Sequence, residues 1–240
     1  MDILPVILIL VLSSFLPPVV YMAWLRNSER FSKEPWGQVF KVFIFGAVFG
    51  VIIALILSFA VLYLIGGFVD RIYLFGWDKD IVQTLLIVVI IAPFVEEFAK
   101  GVGVYTAHFE ITEPEDGLVY GASCGLGFAA TENLLYGFLA YTQGGLAVSL
   151  VLIGIRSISS ALLHASATSI LGYGIGRSIV SGGRHRVFPY YLLAVFMHAV
   201  FNYTASLQDM FEGEILGVSL ALVALVIAIA FALCRRVERL

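Results

Sequence analysis

Charged residues are scarce in this chain: they make up 13% of its 240 positions, where a soluble domain carries roughly a quarter. The 14 lysines and arginines form no basic patch, which excludes a nucleic-acid-binding footprint. Cysteine is scarcer still, with only Cys124 and Cys234, far apart and outside any CxxC or Cys/His group. The sequence therefore excludes a disulfide framework and a zinc knuckle, and we interpret both cysteines as free thiols.

Hydrophobic residues are abundant, at 60% of the chain, and they fall into seven runs long enough to cross a bilayer as helices. The predicted fold is all-α, a polytopic membrane protein of about seven transmembrane helices, with residues 1–240 forming a single membrane domain. The predicted spans are 3–24, 38–66, 81–107, 117–141, 146–176, 187–206 and 214–234.

Basic residues are distributed unevenly between these spans. Ten of them lie in or beside the connections 25–37 and 177–186 and the C-terminal tail, against two in the intervening connections. Because basic connections of membrane proteins stay in the cytoplasm, the pattern predicts a multi-pass protein of the cell membrane with its N-terminus outside and its C-terminus in the cytoplasm.

Seven ionisable residues lie deep inside the third to sixth spans, where a charge costs about 2.5 to 3.5 kcal/mol. Such groups must be paired, hydrated or neutral, so we expect them to face one another. They are Glu96, Glu97, Lys100, Glu132, Arg156, His164 and His198.

Helical spacing and depth support a common cluster. Residues four apart share a helix face, which pairs Glu96 with Lys100 and His198 with Asn202. Counted from the predicted cytoplasmic helix ends, Glu96, His164 and His198 lie at the same depth, roughly 17 Å at 1.5 Å per residue. One carboxylate and two imidazoles are therefore predicted to share a layer near the bilayer centre.

A water molecule held between a carboxylate and an imidazole is a plausible nucleophile for peptide hydrolysis without a covalent intermediate. Glu96 is the predicted base, and a neighbouring histidine and asparagine would donate hydrogen bonds to the developing oxyanion. This chemistry requires no cofactor. Glu96, His164 and His198 are also competent metal ligands, so the sequence also allows a metalloprotease.

Glu132 and Arg156 fit two interpretations equally well. They either support the chemistry or form a buried pair that fixes helix packing, with Tyr136 adding a hydrogen bond between helices. The whole cluster would also suit an ion-coupled or proton-coupled transporter, or a non-catalytic scaffold that uses polar residues only for packing.

A serine nucleophile is the rival within the protease class. Residues 121–125 match the GxSxG pattern, which places Ser123 in a membrane helix as in rhomboid proteases. However, Gly117, Gly121 and Gly125 also form a ridge that close helix packing explains. An HExxH zinc motif and a GxGD aspartyl motif are both absent.

Several of these residues occur in ordered motifs. Residues 96–100 match EExxK, residues 116–121 match DGxxYG, and residues 127–136 match GFAxxENxxY. Arg156 with His164, and His198 with Asn202, complete an R…H and an HxxxN motif. Over residues 90–205 this pattern resembles the protease core of the PrsW family, which is related to the CAAX prenyl endopeptidase group.

The resemblance implies a glutamate-dependent intramembrane protease that acts on a membrane-spanning substrate within the lipid bilayer. By motif, Glu96 and His164 would activate water, with Glu97 beside them, while His198 and Asn202 would stabilise the oxyanion. PrsW proteins make the first, site-1 cut in an anti-sigma factor, which is the substrate that the resemblance suggests.

Overall fold

The computed structural model describes residues 3–28, 33–69, 79–183 and 187–210, and within these ranges it is helical without strands. This confirms the predicted all-α class. The helices are α1 Ile3–Ser28, α2 Trp36–Ile44, α3 Val51–Val69, α4 Lys79–Leu85, α5 Ala92–Tyr105, α6 Asp116–Ile158, α7 Ser160–Ser181 and α8 Val187–Met210. The predicted seventh span, 214–234, lies outside the described residues, as do Arg71, Arg184, His185, Arg186, Cys234 and the arginines of the tail.

Two of the long helices contain a π-helical turn. Phe45–Gly50 joins α2 to α3, and Leu86–Ile91 joins α4 to α5, so that each pair forms one continuous rod. Hydropathy predicts these rods as the second and third spans, but it does not reveal the turns, because a π turn changes the helical register by a single residue.

By length and composition, four helical stretches in the described residues suit a membrane span: Ile3–Ser28, Trp36–Ile65, Ile81–Tyr105 and Asp116–Ser181. The chain is thus a membrane protein. The last stretch has 66 residues, about 100 Å of helix, which is far longer than a bilayer core of about 30 Å. It breaks at Gly145, which has a left-handed φ of 76°, close to the predicted boundary between the fourth and fifth spans.

A second break, at Ser159, interrupts the predicted helix 146–176. This residue separates α6 from α7 and has φ −101° and ψ −73°. Its hydroxyl donates to the carbonyl oxygen of Ile155 at 2.8 Å, a bond from a side chain to the preceding turn that bends helices.

Helix α6 packs against α7 along the predicted glycine ridge. A Cβ atom on Gly117, Gly121 or Gly125 would collide with backbone of α7 at Gly172, Thr168 and His164 respectively. Only glycine permits so close an approach, so the ridge is explained by packing between membrane helices.

Polar and apolar residues are arranged inside out relative to a soluble protein. Large apolar side chains such as Leu4, Phe59 and Phe196 are 73%, 70% and 64% exposed, whereas Glu97 and Lys100 are fully buried. An apolar exterior suits contact with lipid, and the polar interior contains the ionisable residues that were predicted to face one another.

Candidate active site

Five helical segments bring the seven predicted ionisable residues together. Helix α5 supplies Glu96, Glu97 and Lys100. The two limbs of α6, before and after the break at Gly145, supply Glu132 and Arg156, while α7 supplies His164 and α8 supplies His198. The arrangement follows from the close α6–α7 packing described above, because Gly125 lies directly against the backbone of His164.

Glu97 is the most completely bound member of the cluster. Its Oε1 accepts hydrogen bonds from Lys100 Nζ at 2.6 Å and from His198 Nδ1 at 3.0 Å, and its Oε2 accepts one from Thr168 Oγ1 at 3.0 Å. A buried carboxylate with three donors, one of them cationic, is fixed in position as an anion.

His164 lies between a cation and an anion. Its Nδ1 is 2.8 Å from Lys100 Nζ, and its Nε2 is 2.9 Å from Glu132 Oε2. Because an ammonium can only donate, Nδ1 accepts, and Nε2 therefore carries the proton and donates to Glu132. Both ring nitrogens are engaged, which holds the imidazole in one tautomer.

The predicted pair of Glu132 and Arg156 is present. Arg156 Nη2 lies 2.9 Å from Glu132 Oε2, and its Nε donates to Asn133 Oδ1 at 3.0 Å. The ring of Tyr136 lies 3.9 Å from the guanidinium carbon, a cation–π contact across the two limbs of α6. This pair closes a continuous hydrogen-bonded chain from Arg156 through His164 and Lys100 to His198.

Glu96 differs from the other two carboxylates. Its side chain is 13% exposed, and its Oε2 atom is buried without a hydrogen-bond partner among the described residues. Lys100 Nζ and His198 Nε2 each lie 3.7 Å from this oxygen, too far for a hydrogen bond. His198 donates through Nδ1 to Glu97, so in the neutral imidazole the lone pair is on Nε2, on the side of Glu96. The cluster therefore has one open position, beside Glu96 and His198.

Divalent metal fits this open position. The ligand atoms of Glu96, His164 and His198 all lie within 4.8 Å of one another. Ligands around tetrahedral zinc, at about 2.1 Å from the ion, are about 3.4 Å apart, so the most widely separated side chains would have to approach each other by up to about 1.4 Å. The unpartnered Glu96 oxygen and the Nε2 lone pair of His198 are available as they stand, whereas His164 would have to release Lys100 or Glu132.

Asn202, which the HxxxN motif pairs with His198, makes a hydrogen bond to the backbone of another helix. Its Nδ2 donates to the backbone carbonyl of Val88 at 2.9 Å. Val88 lies in the π-helical turn Leu86–Ile91, where the Ala92 N–H bonds to Ile87 five residues back. The changed bonding register of the turn explains why a side chain from α8 binds a backbone carbonyl there.

Ser123 has no place in this cluster. It is 1% exposed, and its hydroxyl donates to the carbonyl of Val119, one turn earlier in its own helix, at 2.7 Å. The close packing of Gly121 and Gly125 against α7 accounts for the rest of the GxSxG match.

Two uncharged residues of the site were missed in the sequence. Thr168 bonds to Glu97, and the ring of Phe128 lies 4.5 Å from Lys100 Nζ. Helical spacing contains a signal for both, because Thr168 follows His164 by four residues and Phe128 precedes Glu132 by four. Neither residue carries a charge, so the cost of burying ionisable groups did not draw attention to them.

Comparison with known proteins places the chain among membrane proteases. Residues 34–233 match the family model described as PrsW family intramembrane metalloprotease. The chain is 26% identical over 209 residues to Protease PrsW of Clostridioides difficile (strain 630), covering 83% of this chain and 80% of the relative. It is also 26% identical over 192 residues to Protease PrsW of Geobacillus kaustophilus (strain HTA426), covering 78% and 75%. No solved structure matches the chain.

Proposed function

This chain belongs to the PrsW family of intramembrane metalloproteases, and from that premise we propose that Glu96 and His198 activate the water that cleaves its substrate. The observation that carries the proposal is the buried Glu96 oxygen without a hydrogen-bond partner, which faces the Nε2 lone pair of His198. Every other carboxylate of the cluster is already bound to a cation.

The side chains around this position have complementary roles in the proposed reaction. A water molecule between Glu96 and His198 would give a proton to the Glu96 carboxylate while its oxygen attacks the scissile carbonyl. Glu97 holds the Nδ1–H of His198, which fixes the orientation of the imidazole. The proton then passes to the leaving amine, and the peptide bond breaks without a covalent enzyme intermediate.

The developing oxyanion has a fixed cation nearby. Lys100 is fully buried, with its Nζ 3.7 Å from Glu96 Oε2, so its charge acts at short range in a medium with little screening. Asn202 keeps the oxyanion role given by the resemblance through its second N–H, the one not donated to Val88. The resemblance gives His164 the role of activating water together with Glu96. Because both of its ring nitrogens are engaged here, we propose instead that His198 takes this role and that His164 orients Lys100 and acts through it.

Metal, which the family description names, would be held by Glu96, His198 and His164. When bound, it would supply Lewis-acid polarisation of the scissile carbonyl. The mechanism inferred from the sequence needs no cofactor, and these three residues are the expected ligands if a metal is used. The same position beside Glu96 would hold the water in the metal-free mechanism or the ion in the metal-dependent one, so the effect of a chelator on the cleavage rate distinguishes the two mechanisms.

The proposed substrate is a membrane-spanning protein that enters the bilayer-embedded site, with an anti-sigma factor as the specific candidate. The cluster lies among helices whose outer surfaces are apolar, and the relatives that match over most of the chain are named as proteases.

The decisive experiment uses purified wild type, Glu96→Gln, Ser123→Ala and the matched control Glu110→Gln in detergent with single-span anti-sigma-factor probes. Glu96→Gln is expected to lose at least about 100-fold in cleavage rate, as for removal of a general base, while Glu110→Gln in the exposed loop and Ser123→Ala keep the rate. Loss in Ser123→Ala alone would establish the rhomboid-like serine mechanism instead. Ion flux in sealed liposomes without cleavage would favour a transporter.

A second experiment, the addition of a chelator, tests whether cleavage depends on a metal ion. A metal held by Glu96, His164 and His198 predicts inactivation by chelator and recovery on adding Zn²⁺ to wild type, while the water mechanism without metal predicts an unchanged rate.

A further inference from the structure

The ion pair of Glu132 and Arg156 leaves one hydrogen-bonding atom unused on each side. Arg156 Nη2 donates to Glu132 Oε2 and to Ser160 Oγ, its Nε donates to Asn133 Oδ1, and His164 Nε2 donates to the same Glu132 oxygen. Arginine and carboxylate often form two parallel bonds, but this pair forms one. Within the described residues, Arg156 Nη1 and Glu132 Oε1 make no hydrogen bond, so the pair presents a donor beside an acceptor.

This pair is partly exposed in the middle of a lipid-facing surface. The side chains of Glu132 and Arg156 are 22% and 16% exposed, and their neighbours Leu135 and Ile155 are 53% and 51% exposed. An ionisable group in contact with hydrocarbon is costly, so the exposed part of the pair requires a polar partner within the membrane. A lipid acyl chain has no polar group to offer, whereas polypeptide backbone has both a donor and an acceptor.

The pair also lies next to the reacting atoms of the proposed mechanism. His164 donates to Glu132 through Nε2, and one of its ring nitrogens lies within 4.8 Å of a Glu96 oxygen, so the two carboxylates flank the same imidazole. The Glu96 side chain is itself 13% exposed. Because an extended chain advances about 3.3 Å per residue, a segment bound at Glu96 would reach the pair within about two or three residues.

A membrane-spanning substrate needs such a partner when it is cut. Its backbone N–H and C=O groups are satisfied inside its helix, and a peptide bond becomes accessible to water only where the helix unwinds. The freed groups then need new hydrogen bonds, because leaving them unpaired in hydrocarbon is strongly unfavourable. Bonds to a guanidinium and a carboxylate are charge-assisted and thus roughly twice as strong as neutral ones.

We propose that Arg156 and Glu132 bind the backbone of the unwound substrate segment, about two or three residues from the scissile bond. Arg156 donates through Nη1 to a backbone carbonyl, and Glu132 accepts a backbone N–H at Oε1. The proposal rests on the proposed function of the Glu96 site. It gives this pair a role in substrate binding, beyond the packing of the two limbs of α6.

The test uses synthetic single-span peptides with a mapped cut, in which one backbone amide at a time is replaced by an ester. The ester removes one N–H and keeps every side chain. With wild type, an ester about two or three residues from the cut should raise KM at least about tenfold and leave kcat little changed, because the lost bond is made in both the ground state and the transition state.

Glu132→Gln reverses the polarity of the acceptor. Arg156 and His164 both donate to the Oε2 position, so the glutamine oxygen should take that position and its NH2 group the other. A donor would then face the substrate N–H. Binding of the all-amide peptide should weaken at least about tenfold, while the peptide with the sensitive ester should bind as it does to wild type.

Arg156→Lys is the second variant, and it keeps the positive charge. An ammonium lacks the planar fork that bonds to Asn133, Glu132 and a substrate carbonyl together, so KM for the all-amide peptide should rise. The matched control is Arg177→Lys, the same change at an exposed arginine that donates to Tyr190 near the end of α7. It should keep the response of wild type to every ester.

Binding to the Glu96→Gln variant, measured by peptide fluorescence, separates this proposal from the catalytic one. The same ester should weaken binding there. That result without any cleavage by wild type would refute the proposed mechanism alone. If cleavage depends on Glu96 but no ester position matters, the backbone contact is wrong and the mechanism stands. Equal losses for all peptides in folded Glu132→Gln would likewise overturn the contact and show that the pair acts through packing.

Discussion

Burying five charged side chains in a membrane is tolerable here because the charges are nearly matched. Lys100 pairs with Glu97, and Arg156 pairs with Glu132, both at hydrogen-bond distance. Three carboxylates against two cations leave one carboxyl in excess, and this is Glu96, the one whose Oε2 lacks a hydrogen bond. The excess explains why the open position accepts a proton or a divalent cation.

This charge count predicts opposite stability effects at adjacent positions. Glu97→Gln leaves Lys100 buried without its closest counter-ion and should lower the free energy of unfolding by about 3 kcal/mol or more, since breaking a buried pair is strongly destabilising. Glu96→Gln removes the excess carboxyl and should leave the melting temperature unchanged or raised. Thermal unfolding of the two purified variants in one detergent, without added metal, compares them directly, and a fall in both melting temperatures would refute the assignment.

Thr168 is predicted to be a positioning residue. Thr168→Val removes the donor to Glu97 Oε2 and should cost about 1.5 to 3 kcal/mol, as for a hydrogen bond to a charged group. The freed carboxylate would hold His198 less firmly, so kcat should fall with KM little changed. Thr168→Ser keeps the hydroxyl and should rescue kcat; equal losses in both variants would show that Thr168 acts through packing alone.

Much of the site could be predicted from single residues, because an ionisable group inside a membrane is costly enough to stand out. The seven ionisable residues predicted in this way, of which Glu96 is the first and His198 the last, lie together in the structure. This reasoning could not select Thr168, which carries no charge. It also could not place the Asn202 amide, because its partner is a backbone carbonyl in a π turn that hydropathy does not reveal.

At the level of helices, backbone contact between α6 and α7 positions the α7 side chains of the cluster. The carbonyl of His164 lies against Gly125, and that of Thr168 lies against Gly121. The sequence predicted the ridge from its four-residue spacing. The breaks at Gly145 and Ser159 were harder to predict from the sequence. Gly145 lies close to a predicted span boundary, whereas Ser159 lies inside a predicted span and its break depends on a single hydroxyl.

Gly125→Ala should therefore disturb the chemistry through α7. The added Cβ would meet backbone rather than a flexible side chain, so the helices must separate, at a cost of about 1 to 3 kcal/mol. His164 would move with α7, and cleavage should fall even though the protein still inserts in the membrane. Gly154→Ala is the matched control and should retain wild-type activity. Full activity in Gly125→Ala would show that the packed ridge does not position His164.

At the level of the whole molecule, an apolar groove between α5, α7 and α8 is lined by residues close to helix ends, and these positions indicate which ends share one side of the membrane. Tyr105 near the end of α5, Ser178 near the end of α7 and Val187 at the start of α8 all line it. Antiparallel neighbours of this kind agree with the predicted alternation of spans. Together with the excess of basic residues beside these ends, the arrangement predicts that the groove opens toward the cytoplasm.

Fusions at both termini test the orientation and the number of crossings together. Ten basic residues against two predict an outside N-terminus and a cytoplasmic C-terminus, and opposite sides require an odd number of spans, in line with the predicted seven. A fluorescent protein fused after residue 240 should fluoresce, whereas alkaline phosphatase there should be inactive. A cysteine added before residue 1 should react with an impermeant maleimide in intact cells, as should one in the connection 142–145.

Termini on the same side would mean an even number of crossings and would overturn the seven-span arrangement. An outside C-terminus with an inside N-terminus would agree with an odd number of crossings and reverse the predicted opening of the groove.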